Sequence, residues 1–297
     1  MSSAPRSAAP RIDAHLHLWS RGRSEYAWIT PGAGVLYDDF TPERAEPELA
    51  AAGMSHAVLI QADDSRADTE FMLEVAAGHP WVAGVVGWVD LTDPASAEQE
   101  LDLYSELPVF SGVRALLHTD ERDGMLERDD VRRTLALLAE RGLAFDVPNA
   151  WPRHLDSVSP LAEALPDLHI VIDHLASPPA TRGDEFEAWR RALAQAAARP
   201  NTVAKVSGLQ ESVGALSPSA LAEIWDIALE LFTPNRLMFG SDWPMTLSRG
   251  GYQPVVAAID ELAATLSTAE ADELFSGTAN RVYRLTLDGA DLDGTNT

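Results

Sequence analysis

The sequence predicts a single-domain (β/α)8 TIM barrel, and three observations carry that expectation. Eight compact apolar runs recur about every 32 residues, the size of a strand plus its crossover helix. Helix-start signals fall between the runs. Ionisable residues gather at the carboxyl ends of the runs, where a barrel keeps its active site.

The expected strands are 12–17, 56–62, 82–90, 112–118, 143–147, 168–174, 202–208 and 237–242. They are apolar on both faces, as in Ala57-Val58-Leu59-Ile60, which suits parallel strands covered by helices. Thr41-Pro42, Asp93-Pro94 and Ser217-Pro218 each set a capping side chain before a proline suited to the first helical turn. Ser267 with Glu270 reads as a capping box. Val131, Leu135 and Leu138 recur at helical spacing, and Gly142 follows as a C-cap. The aromatic stretch 26–40, between the first strand and the first helix, reads as a lid or rim. Eight alternations favour a closed barrel over an open doubly wound sheet. No G-x-G-x-x-G or G-K-[ST] loop follows the first run, which argues against a nucleotide or dinucleotide site. The barrel is expected to occupy 11–286, between flexible tails at 1–10 and 287–297.

The chain has no cysteine, which rules out disulfides, thiolate metal sites and a thiol nucleophile, and points to a reducing cytoplasm. Lys plus Arg number 22 against 46 Asp plus Glu, a formal charge of −24. Such a surface repels phosphate backbones and anionic lipid, so the expected partner is a small-molecule substrate, with no nucleic acid and no membrane. A homo-oligomer is compatible with all of this. Residues 1–10 carry no apolar signal core, and no run approaches the ~20 apolar residues of a membrane span.

Ionisable groups at strand ends are costly unless paired, metal-bound or lining a site. The first run carries His15 and His17, which a period of two places on one face about 6.6 Å apart along the strand. The sixth run ends in Asp173-His174 and the eighth in Asp242, ahead of Pro244. Strand eight neighbours strand one in a closed barrel, so these four side chains are expected to converge. Three neutral imidazoles and a carboxylate can hold one divalent ion, zinc by donor type, with a position left for water. Such an ion acidifies water and polarises a carbonyl. Asp242 is the expected general base. Without a metal, the imidazoles would polarise the carbonyl as hydrogen-bond donors, so metal dependence stays open. Arg114 and His118 on strand four, Lys205 on strand seven, Gln61, Trp88 and Asn149 are the expected substrate contacts. The alternative for Arg114 and Lys205 is ion pairing with Asp90, Asp146 or Asp173.

Several segments carry a resemblance along most of the chain: Ile12-Asp13-Ala14-His15-Leu16-His17, Tyr26-Ala27-Trp28, Gly112-Val113-Arg114, Ile172-Asp173-His174, Lys205-Val206-Ser207-Gly208 and Gly240-Ser241-Asp242-Trp243-Pro244. In their order and spacing the chain resembles the amidohydrolase-related family, in its branch of sugar-lactone and pyrone-dicarboxylate lactonases. The resemblance implies a (β/α)8 barrel that hydrolyses a lactone of a small polar, sugar-derived acid, with His15, His17, His174 and Asp242 as metal ligands and His174 and Asp242 as catalytic residues. Strand four offers Arg114 and His118 and strand five Asp146, where two-metal relatives use a bridging Lys or Glu and a His. One metal or none is therefore implied. The rival expectations are a non-oxidative decarboxylase, a hydrolase of amides or other esters, and a barrel without catalysis.

Overall fold

In the computed structural model, which describes residues 9–213 and 216–287, the apolar runs pair as parallel strands in chain order. They are β1 (Ile12–Leu16), β2 (His56–Ile60), β3 (Val82–Gly87), β4 (Phe110–Arg114), β5 (Ala144–Val147), β6 (Ile170–Ile172), β7 (Thr202–Val206) and β8 (Leu237–Phe239). Eight helices follow them in alternation: α1 (Pro42–Ala52), α2 (Arg66–Gly78), α3 (Pro94–Tyr104), α4 (Asp129–Arg141), α5 (Leu155–Ala164), α6 (Asp184–Ala197), α7 (Pro218–Phe232) and α8 (Tyr252–Ala263). The expected tails at 1–10 and 287–297 lie outside the described residues except for 9, 10 and 287. Among the described residues no helix is long and apolar enough to cross a membrane.

The helix signals act as their chemistry dictates. Asp93 and Ser217 accept the Ser96 and Ala220 amides, and Ser267 with Glu270 closes a full capping box. Gly142 ends α4 at φ +65°, and Val131, Leu135 and Leu138 face the core. Thr41 differs: it occupies the N-cap of α1, but its hydroxyl makes no capping bond.

The strands stop earlier than the apolar runs suggest. His17, Trp88, Asp90, His118, His174, Ser207 and Asp242 all lie in turns beyond a strand end. Two of these turns leave the β region outright: Asp242 has φ +58°, and His174 to Ser177 have φ values of 56, 50, 62 and 61°. Left-handed backbone costs roughly 1–2 kcal/mol per non-glycine residue, so the surrounding structure must hold it. Here the Leu175 carbonyl accepts Trp189 Nε1–H at 2.9 Å and the Ala176 carbonyl accepts Trp151 N–H at 3.1 Å.

Closure of the barrel runs through the turn after β8. Asp242 N–H donates to the His15 carbonyl and His17 N–H donates to the Trp243 carbonyl, each at 2.8 Å. Asp13, fully buried, accepts the His15 and Ser241 amides and Tyr252 Oη–H, tying the same seam from below. The seam thus sets His15, His17 and Asp242 side by side. The stretch 26–40 is a fastened rim: Trp28 Nε1–H donates to the Ala62 carbonyl, Tyr26 Oη–H to Asp68, and Trp19 and Phe40 exchange backbone hydrogen bonds.

Candidate active site

The four anticipated side chains meet at the carboxyl end of the barrel. The Nε2 atoms of His15 and His17 lie 3.1 Å apart, and Asp242 Oδ1 lies 3.8 and 3.6 Å from them. The His174 ring packs 4.6 Å from that of His15. His17, His174 and Asp242 line a cavity of about 940 Å³, while His15 is fully buried directly beneath. Trp28, Leu36 and Met245 give the cavity apolar walls.

Each ring is oriented by a fixed partner. His17 Nδ1–H donates to the Ile60 carbonyl at 2.8 Å, which leaves Nε2 as a lone-pair donor. His174 Nδ1 meets Ser207 Oγ at 2.8 Å. His15 Nδ1 sits between Lys205 Nζ at 3.1 Å and Asp173 Oδ1 at 3.3 Å. Burial pushes the His15 and His174 imidazoles down, toward the neutral form that ligates metal. Burial also opposes the charge on Asp242, but the imidazoles of His174, His17 and His15 outweigh it and hold the carboxyl below the usual range. Asp242 Oδ2 accepts Gln210 Nε2–H at 2.8 Å.

These residues fit one divalent cation. Two ligand nitrogens on a tetrahedral ion at 2.0–2.1 Å stand about 3.3 Å apart, close to the separation of the His15 and His17 Nε2 atoms. A buried ionised carboxylate is costly without a cation. Among the described residues, only imidazoles come within ion-pair distance of Asp242. A second candidate group, His15, Asp173 and His174, shares His15 with the first. However, Asp173 is already held by Arg114 Nε at 2.8 Å and by Lys205 Nζ at 3.1 Å.

The remaining anticipated contacts divide. Arg114, His118 and Asn149 line the cavity. Lys205, Gln61 and Trp88 do not. Lys205 is fully buried between Asp146 at 2.5 Å and Asp173, since an ammonium inside a barrel must find carboxylates. Gln61 is fully buried too, and its Nε2–H donates to Asp64 and to the Arg114 carbonyl. Trp88 stays half-buried outside the cavity, with its amide bound by Thr69 Oγ1. Asp90 binds Thr92 and pairs with neither cation. Gln210, Asp64 and Trp28 line the cavity without having been singled out as contacts. Trp28 belongs to the aromatic stretch 26–40 read as a rim, and the signal for Gln210 and Asp64 is a polar residue just past Ser207-Gly208 or shortly after β2.

Gly208 explains itself at this site. Its φ is +58°, and a Cβ there would lie 2.3 Å from His174 Nδ1. Gly208→Ala is expected to displace His174 and lower kcat/KM by about 10²-fold, the scale of a 1 Å misplacement. Steady-state kinetics check this, and near-normal turnover would remove His174 placement from the requirements.

The amidohydrolase family model matches residues 12–285. An L-fucono-1,5-lactonase of Burkholderia multivorans is 35% identical over 291 residues, 93% of this chain and 97% of that protein. An L-fucono-1,5-lactonase of Burkholderia ambifaria is 35% identical over 82% of this chain and 83% of its own length. A crystal structure of an amidohydrolase from Burkholderia multivorans with bound zinc superposes with a TM-score of 0.83 at 33% identity, covering 94% of this chain and all of that one. With the family model spanning the whole barrel and the imidazole–carboxylate set at its mouth, this chain belongs to the amidohydrolase family.

Proposed function

We propose that this protein opens a lactone of a small, hydroxyl-rich acid by adding water to the ester carbonyl. The observation that carries the reading is the convergence of His17 and Asp242, which line the cavity, with His15 buried against them and His174 beside it. The lactonase relatives support the ester class.

His15, His17 and Asp242, with His174 adjacent, would hold one divalent ion, zinc by their nitrogen and oxygen donors. When bound, that ion supplies a lowered water pKa and a polarised carbonyl. Asp242 accepts the proton of the attacking water at Oδ1 while Gln210 holds Oδ2 in place. As the new C–O bond forms and the ring C–O bond breaks, Asp242 returns that proton to the departing ring oxygen. His174, its ring fixed by Ser207, lines the cavity and is read as the group that polarises the ester carbonyl. Arg114, His118 and Asn149 line the cavity, which supports reading them as contacts to substrate hydroxyls. The reading carries a cytoplasmic enzyme with a small-molecule substrate, and self-association is compatible with it.

Two measurements test it together. Protein purified without chelator should hold about one divalent ion per chain, and His17→Asn should lose it. A panel of 1,5- and 1,4-aldonolactones read by acid release should give at least one substrate with kcat/KM above about 10⁴ M⁻¹s⁻¹. No acid release across the panel would overturn the proposal. Carbon dioxide release from a hydroxybenzoate instead would move the chain to decarboxylation.

A further inference from the structure

Ring opening turns an uncharged lactone into a carboxylate, so the charge on the cavity wall bears on both ends of the reaction. This inference rests on the lactonase reading of the same site. Arg114, on the wall, and Lys205, behind it, are matched by Asp146 and Asp173, and that quartet cancels when all four are ionised. Among the described lining residues Arg114 is the one lysine or arginine, and its Nε and Nη1 are committed to Asp173 and the Gln61 carbonyl. Asp63 and Asp64 line the same cavity from the end of β2. Asp63 accepts Ser24 Oγ–H at 2.5 Å. Asp64 accepts the Leu116 amide and Gln61 Nε2–H, each at 2.9 Å. No described cation stands within ion-pair distance of either carboxylate, although Arg114 is near enough to Asp64 to act on its charge. Asp242 belongs to the ion-holding set, so Asp63 and Asp64 are the two carboxylates left uncompensated on the cavity wall, in a concavity that concentrates their field.

We propose that Asp63 and Asp64 work as a charge filter: they accept hydrogen bonds from the hydroxyls of an uncharged lactone and repel carboxylates, both anionic lactones and the acid product. The repulsion is absent while the ring is closed and appears as it opens, so it falls on the product and speeds its departure.

The test uses an aldono-1,5-lactone that the holoenzyme turns over and its counterpart with the C6 hydroxymethyl oxidised to a carboxylate. Assays run at pH 8, where Asp64, which burial lifts to about 6, is ionised. The wild type should prefer the neutral lactone by about tenfold or more in kcat/KM, and the preference should shrink at high salt. Asp63→Asn and Asp64→Asn should each narrow that ratio by about threefold or more and lower the inhibition constant of the aldonate product. Equal rates for the two lactones, or a ratio unmoved by salt, would overturn the filter while the neutral lactone is still hydrolysed, leaving the lactonase reading standing. Failure to hydrolyse any lactone rejects both. The salt series on the wild type keeps the test decisive should either variant fail to fold.

Discussion

Asp242→Asn is expected to lower kcat by about 10²–10⁴-fold while the fold survives. The loss follows from chemistry: an amide accepts no proton from water. Survival follows from backbone geometry. Asp242 sits at φ +58°, a conformation asparagine adopts nearly as readily, and its amide donates to the His15 carbonyl whatever the side chain. The Gln210 contact can persist with the amide oxygen as acceptor. Steady-state turnover on the best lactone, with circular dichroism and a melting curve alongside, separates the two effects. Retention of more than a tenth of wild-type kcat would remove Asp242 as the base. Loss of the folded signal would assign it to the seam instead.

Lys205→Met is expected to destabilise the protein by about 3–5 kcal/mol near pH 8, because it strands buried carboxylates without their cation. Lys205 bridges Asp146 and Asp173, and all three are fully buried. Burial raises Asp146 to about 6 even against the pull of Lys205, with Asp173 adding its repulsion. A carboxyl raised above its unfolded value holds its proton more tightly when folded, so the Asp146 contribution to stability falls as pH rises from about 4 to 6 and is flat above. Removing the ammonium pushes that folded-state value higher still. The gap between variant and wild type should therefore be wide at pH 8 and narrower at pH 5, where Asp146 is protonated. Urea denaturation of both proteins at the two pH values measures it, and equal gaps would refute the charge account. The same variant strips His15 Nδ1 of the Lys205 contact at 3.1 Å, so activity should fall as well.

Much of this architecture was legible before any coordinates. The spacing of apolar runs reflects the size of a βα unit, which local chain physics imposes, so eight strands in chain order could be read directly. His15, His17, His174 and Asp242 stood out because ionised or polar groups ending an apolar run are costly without a task. The strand ends extend further in the sequence pattern than in the structure for a related reason. Residues such as His174 and Leu175 are as buried as strand residues, and composition registers burial rather than φ.

Periodicity and residue type were enough to define the barrel and to gather the candidate site's chemistry at its carboxyl end. Packing in three dimensions selects which strand-end groups reach the cavity. Arg114 meets Asp173 across 59 positions of chain, and Lys205 meets His15 across 190. Whether a charged side chain becomes a ligand contact or a buried counterion is settled by these cross-barrel partners. Local patterning carries no information about them, since Coulomb attraction and desolvation depend on distance in space rather than along the chain.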